Sequence, residues 1–107
     1  MRHFKPQDNQ RRLRSVDVDL HWQADGSYYP VRVYYPLWPI EEDNNPETVR
    51  EYKVYTVTCT DMRSAADPDL GVAGTVYTVD VDVDDNKTVR TVLWHDEEKF
   101  YISEKVV

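Results

Sequence analysis

The chain has 107 residues, a net charge of −7 at neutral pH and a single cysteine, Cys59. This length fits one domain with one hydrophobic core, and one cysteine excludes a disulfide within the chain. No apolar run is long enough for a membrane-spanning segment, and the first residues do not resemble a signal peptide. We therefore expect a cytoplasmic protein that does not associate with membranes.

The charges are unevenly distributed along the chain. Residues 1–14 hold five basic residues and one acidic residue, a net of +4, which leaves −11 for residues 15–107. Because residues 1–14 also lack apolar periodicity, we predict a flexible basic N-terminal arm over 1–14 and a single β-barrel domain over 15–107. The acidic body argues against general affinity for nucleic acid, which depends on basic side chains that neutralise phosphates.

The first two strands are predicted as a hairpin. Apolar and polar side chains alternate over residues 16–22, which is typical of a half-buried strand. A turn at Gly26 leads into residues 28–35, a run rich in β-branched and aromatic side chains. Pro30 has no N–H to donate to a ladder, so it is expected at an edge or an irregularity of the second strand.

The middle of the chain contains two segments that are predicted to be irregular. Residues 36–48 combine three prolines with acidic residues and are expected to form a long loop. Leu37, Trp38 and Ile40 within it are apolar, so we expect them to fold back as a lid over one barrel end. A third strand is predicted over residues 51–60. Residues 61–74 follow as a second irregular segment, with one helical turn around 62–66.

Strict alternation of valine and aspartate predicts the fourth strand and its hairpin partner. We expect a three-residue loop, 85–87, because it places Val83 opposite Val89 and Asp82 opposite Arg90, keeping apolar and charged side chains on separate faces. A last strand is predicted over residues 99–103. The pattern as a whole predicts an all-β protein, a small antiparallel β-barrel or meander of about six strands with long irregular loops.

Parts of this pattern resemble a group of small uncharacterised bacterial domains. The similarity lies in the Gly-x-x-Tyr-x-Val run of residues 74–79, the Leu93-Trp94 pair and the Lys-Phe-Tyr-Ile ending of residues 99–102, with weaker likeness over about 16–104. The chain differs in its longer acidic loop and in having no glycine in the 85–87 turn. The resemblance implies a small SH3-like β-barrel, and it implies no activity or catalytic residue because the group has none assigned.

The alternating aspartates of the fourth strand partly match a calcium-binding loop. Asp80, Asp82 and Asp84 begin like a calcium-binding loop, but its sixth position holds Asp85 where a glycine is required, and its twelfth holds Thr91 where a glutamate is required. In a strand these carboxylates form a row, so a cation would also need Asp17 and Asp19 opposite that row. We predict no metal or cofactor site. The predicted solvated acidic face consists of Asp17, Asp19, Asp80, Asp82 and Asp84.

Aromatic residues supply the candidate binding surface. Tyr28-Tyr29 and Tyr34-Tyr35 are adjacent pairs, so one ring of each pair is expected to leave the core and, with Trp38, to hold an extended or proline-rich peptide. No spacing marks a catalytic pair of side chains, so an enzyme is not expected. The sequence predicts a module that binds a protein or peptide.

The alternative is a nucleic-acid-related role, in which the basic arm binds nucleic acid or the acidic face mimics it. We expect a monomer or a weak homodimer, because an uncovered strand such as the last could pair with a copy of itself.

Overall fold

The computed structural model describes residues 11–105 as a barrel of six strands joined by short turns and one long loop. One 3-10 turn, Ile40–Glu42, lies in that loop. The strands are β1 (Arg11–Trp22), β2 (Tyr28–Pro36), β3 (Tyr52–Asp67), β4 (Val72–Asp84), β5 (Lys87–Asp96) and β6 (Lys99–Lys105). The all-β prediction is therefore confirmed.

Each strand pairs antiparallel with the next one in the chain, and β6 pairs with β1 to close the barrel. Alternate side chains point inward, which buries Val33, Val79 and Leu93 almost completely. Phe100 and Tyr77 complete the centre of this core, and their rings pack at 6.1 Å between centroids. The predicted small antiparallel barrel of six strands is confirmed in its closed form.

The boundary predicted for the N-terminal arm is wrong. β1 begins at Arg11 and pairs with β6 from Arg11 opposite Lys105 onward, so residues 11–14 belong to the barrel. The strand is not predicted because three of these four residues are basic. In the structure Leu13 packs in an apolar cluster and Arg14 is buried. The rest of the predicted arm, residues 1–10, lies outside the described residues.

The helical turn predicted around 62–66 is also wrong. β3 continues through this segment to Asp67, with Met62 opposite Tyr77 and Ala66 opposite Ala73. Alanine and methionine favour helices, but pairing with β4 outweighs that local preference. A register shift between Cys59 and Asp61 inserts an extra residue, Thr60, into β3.

A second apolar cluster lies at the end of the β4–β5 ladder where Thr75 pairs with His95. Val72, Val76 and Trp94 are buried there, with Leu13 and Tyr101 packed against them. Gly74 permits the close approach of β4 to the His95 backbone, because it adopts a φ of +155° and a Cβ at this position would lie 2.2 Å from the backbone oxygen of His95.

The β4–β5 hairpin differs from its predicted register by two residues. Asp84 pairs with Lys87 across a two-residue loop, and Val83 is then an extra residue in β4. Because of this bulge, apolar side chains stay on one face of the hairpin and charged side chains on the other, with Val81 opposite Val89 and Asp80 opposite Arg90. The prediction assigned the side chains to the correct faces but placed the extra residue in the loop, whereas it lies in the strand.

Across residues 11–105, no helix has the length and apolarity needed to cross a bilayer.

Candidate functional site

The barrel wall separates between β2 and β3 at one end. Their ladder ends where Arg32 pairs with Thr56, although β2 extends back to Tyr28 and β3 extends on to Asp67. Pro30, which has no N–H to donate, lies just beyond this last pair, and Val31 beside it is an extra residue in the β1–β2 ladder. A cavity of about 400 Å³ opens between the two strands. We call it the β2–β3 slot.

Aromatic and apolar side chains line much of the β2–β3 slot. Tyr28 and Tyr29 of β2 lie on one side, and Val57, Cys59 and Met62 of β3 lie on the other. Gln23, Ser27, Thr58 and Asp61 complete its lining. Met62 is 51% exposed although nothing in its chemistry favours contact with water. The slot therefore presents apolar surface to solvent at a point where the backbone ladder is interrupted.

The ring of Tyr28 is fixed from two sides. The exposed ring of Trp22 packs on it, with 4.5 Å between centroids. The Tyr28 hydroxyl lies 3.3 Å from Nδ1 of His95, whose ring is stacked on Phe100 at 4.1 Å. Because Phe100 belongs to the core, this chain of contacts connects the slot wall to the barrel interior. A ligand in the slot would meet a wall that is already ordered.

Cys59 lines the slot and packs against the main core cluster. Burial raises the pKa of its thiol, which donates a 3.4 Å hydrogen bond to the backbone oxygen of Asp61. A catalytic cysteine requires the opposite shift, because the thiolate is the reactive form. Burial also raises the pKa of Tyr77 to about 12, so its hydroxyl stays protonated at neutral pH.

The other predicted binding tyrosines lie elsewhere. Tyr34 is on the outer face, where its hydroxyl donates a 2.6 Å hydrogen bond to Oδ2 of Asp19. Tyr35 points inward, and its hydroxyl donates a 2.5 Å hydrogen bond to Oε2 of Glu104. The expectation that one ring of each pair leaves the core thus fits Tyr34 and Tyr35. Tyr28 and Tyr29 differ, because both line the slot.

Trp38 belongs to a segment of residues 37–51 that we call the strap. Its indole N–H donates a 2.7 Å hydrogen bond to Oδ1 of Asp43, which also pairs with the buried Arg14 at 2.9 Å. The guanidinium of Arg14 donates a further hydrogen bond to the backbone oxygen of Trp38, and that of Arg50 lies over the Trp38 ring. Of the three apolar residues of the predicted lid, Trp38 folds back onto Arg14 of β1, Ile40 is half-buried and Leu37 is exposed.

The predicted acidic residues do not form one face. β1 and β4 are separated by two strands in either direction around the barrel, so their outward side chains lie on opposite walls. Asp19 pairs with Arg32 on one wall, and Asp80 pairs with Arg90 on the other. The arrangement that a cation would need, with Asp17 and Asp19 opposite the β4 row, does not occur. Within the described part of the chain, no three His, Cys, Asp or Glu side chains group as metal ligands.

The sequence pattern indicates Tyr28 and Tyr29 but not Trp22, Cys59 and Met62 as residues of the site. The local sequence around Met62 predicts a helical turn, and only the pairing with β4 places Met62 on a strand beside the tyrosines. The one signal in the sequence was Pro30, which marks the place where the β2 ladder is interrupted.

Comparison of the chain with protein-family models, curated proteins and solved structures gives no match. The observed fold agrees with the small β-barrel that the resemblance to bacterial domains implies. No relative supplies an activity, so the function has to follow from the geometry of the slot.

Proposed function

We propose that the protein is an interaction module that binds an extended segment of a partner protein in the β2–β3 slot. The observation that carries this proposal is the free edge of β3. Over eleven residues, 57–67, β3 pairs with β4 on one side, and its β2 side has no ladder partner among the described residues. Such an edge exposes backbone N–H and C=O groups that an added strand can pair with.

The side chains that line the slot can select which peptide sequence binds as the added strand. Every second side chain of an extended peptide points the same way, so an alternating apolar series would face Tyr28, Tyr29 and Met62. Asp61 lies at the margin, and the chain as a whole is acidic. A segment that alternates apolar and basic residues therefore fits the slot best.

Selection from a random peptide library provides the test, because the partner is unidentified. We expect 12-residue peptides displayed on phage and selected on the intact protein to be enriched in alternating apolar and basic residues. Met62→Asp should weaken the selected peptides at least about tenfold, because it places an unpaired charge in the apolar slot. Fluorescence anisotropy of labelled peptides measures this change.

The matched control for the peptide test is Val49→Asp, which makes the same kind of change at a strap residue that is 71% exposed. It should leave peptide affinity unchanged. Failure to enrich any peptide, or equal loss in both variants, would contradict the proposed function.

The nucleic-acid alternative receives less support. Arg14, assigned to the basic arm in the sequence analysis, is buried and paired with Asp43, so it does not offer its charge to a phosphate. The same anisotropy assay with single-stranded oligonucleotides should show no binding at physiological salt. Kinship with the group of small bacterial barrel domains and a cytoplasmic location remain proposals, and neither supplies an activity.

A further inference from the structure

The barrel wall separates a second time, between β5 and β6. Their ladder ends where Leu93 pairs with Ile102, and β6 continues from there in contact with β1. The first six residues of β5, 87–92, pair with β4 but form no backbone ladder with β6, and one side-chain hydrogen bond, from the Thr91 hydroxyl to the Ser103 backbone oxygen, joins the two strands there. A cavity of about 430 Å³ opens here, near the end of β2 that is farther from Tyr28. We call it the β5–β6 slot.

The inner surface of the β5–β6 slot is predominantly apolar. Val33, Val81 and Ile102 belong to the core or pack against it, and the rings of Tyr35 and Tyr55 form part of the wall. Val89 stands at the opening with 44% of its surface exposed. Small-molecule sites have volumes of roughly 300–1,000 Å³, so this cavity has room for one small ligand.

Basic side chains surround the opening of this slot. Arg11 and Lys105 line it, and the ammonium of Lys53 lies 5.8 Å from the centroid of the Tyr55 ring. Within residues 11–105, none of these three cations forms an ion pair with a carboxylate. This grouping stands out in a chain with a net charge of −7.

The one carboxylate that lines the slot is already engaged. Oε1 of Glu104 lies 3.3 Å from Nε of Arg12, and Oε2 accepts the hydroxyl hydrogen bond of Tyr35. The Arg11 guanidinium is oriented by Ser103, with 2.7 Å hydrogen bonds to its hydroxyl and its backbone oxygen. The opening is therefore cationic, and one of its cations, the Arg11 guanidinium, is held in a fixed direction.

We propose that the β5–β6 slot binds a single-chain anionic amphiphile, a medium-chain fatty carboxylate. The alkyl chain lies along Val81, Val89 and Ile102, and the carboxylate meets Arg11 and Lys105 at the opening. An added peptide strand fits less well than in the β2–β3 slot, because the free edge of β5 covers six residues, 87–92, against eleven in β3, and the Thr91 hydroxyl already donates a 3.1 Å hydrogen bond to the Ser103 backbone oxygen across the gap. This site is independent of the β2–β3 slot and of the proposed peptide-binding function.

Titration of the full chain with decanoate, kept below its micelle concentration, tests the proposal by methyl and amide NMR. We expect saturable shifts at Val81, Val89 and Ile102 and none at Met62. Decyltrimethylammonium has the same alkyl chain with a cationic head, so it should bind about tenfold more weakly or less. Equal binding of the two amphiphiles, shifts centred on Met62, or no saturation below the micelle concentration would overturn the proposal.

Two variants separate the contribution of the alkyl chain from that of the head group. Val89→Asp should reduce decanoate affinity at least about tenfold, whereas Val54→Asp, at an outer position of β3 that is 50% exposed, should leave it unchanged. Lys105→Glu should weaken decanoate roughly threefold to tenfold and leave decanol unaffected. Equal loss for decanol would show that the basic opening does not recognise the carboxylate, and this assignment would then be wrong.

Discussion

Arg14 and Asp43 form an asymmetric ion pair at the base of the strap. The side chain of Arg14 is 3% exposed and that of Asp43 is 31% exposed. The Arg14 charge therefore needs its partner to compensate for lost water, whereas the Asp43 charge still reaches solvent. Nε of Arg14 is buried without a hydrogen-bond partner within the described chain. The guanidinium is therefore only partly compensated for the loss of water, and Asp43 supplies its one carboxylate partner.

This asymmetry predicts unequal effects of removing the two partners. Asp43→Ala leaves a buried charge unpaired and releases the Trp38 indole, so we expect a loss of about 3 kcal/mol in the free energy of unfolding. Arg14→Met fills the same space without a charge and leaves Asp43 reachable by water, so we expect a loss of about 1–2 kcal/mol. Urea unfolding measures both values.

The control for this pair is Glu41→Ala, on an exposed strap residue, which should change stability by less than about 0.5 kcal/mol. A greater loss in the free energy of unfolding for Arg14→Met than for Asp43→Ala would show that the buried Arg14 charge does not depend on Asp43 in this way.

The hydrogen bond from Tyr34 to Asp19 makes the stability of the fold depend on pH in the acid range. Its hydroxyl hydrogen bond is the main cause that holds the pKa of Asp19 below the ordinary value, with Arg32 contributing further. A carboxyl whose pKa is lower in the folded state stabilises the fold above its unfolded pKa. That contribution is lost as the pH falls through the lowered value, below about pH 4.

Tyr34→Phe should therefore flatten the loss of stability below about pH 4, because the pKa of Asp19 in the folded state moves back toward its unfolded value. Urea midpoints at pH 6 and pH 3 measure the effect. Tyr52→Phe changes a neighbouring exposed tyrosine ring and should keep the wild-type difference between the two midpoints. If Tyr34→Phe keeps that difference too, the acid sensitivity has another source.

At the scale of elements, the sharp approach of β4 to β5 depends on one residue. At Gly74 an added Cβ would meet the His95 backbone oxygen, and backbone cannot move aside as a flexible side chain can. We expect Gly74→Ala to lower the free energy of unfolding by about 2–4 kcal/mol, because β4 must shift away from β5 and the Val72–Trp94 packing loosens.

Gly71→Ala serves as the comparison for Gly74→Ala. Gly71 also has a positive φ, +71°, but a Cβ there meets nothing within 4 Å, so only the backbone preference of about 1 kcal/mol is lost. Equal destabilisation of the two variants in thermal unfolding would show that steric contact with His95 is not the cause.

The elements that the sequence predicts well are those whose signal is local. Alternation of valine and aspartate over residues 79–84 identifies β4 and its buried face without any knowledge of its partners. The continuation of β3 through Met62 depends on β4, and no local pattern reports that pairing. The start of β1 was missed because buried Arg14 resembles a surface residue until Asp43 is brought to it.

At the scale of the molecule, the six strand patterns in the sequence are enough to predict the barrel, but they do not predict either slot. A slot forms where a ladder stops, and the stopping point depends on twist, bulges and the divergence of neighbouring strands. Pro30 marks the first interruption, whereas nothing near Leu93 or Ile102 marks the second. Of the residues in the predicted tyrosine surface, Tyr28 and Tyr29 meet at a slot, while Tyr34 and Trp38 lie elsewhere.

The β1–β6 seam has a consequence for how the chain can be connected. Arg11 and Lys105 face each other across it, and every other contact between neighbouring strands joins elements that follow one another in the sequence. A linker from β6 to β1 would make the strand order a ring, in which the chain could be opened at any turn with its pairings retained. Opening it at the Asp85–Asn86 turn would place the new chain ends there and keep all six strand pairings, so the pairing pattern does not require any one strand to come first.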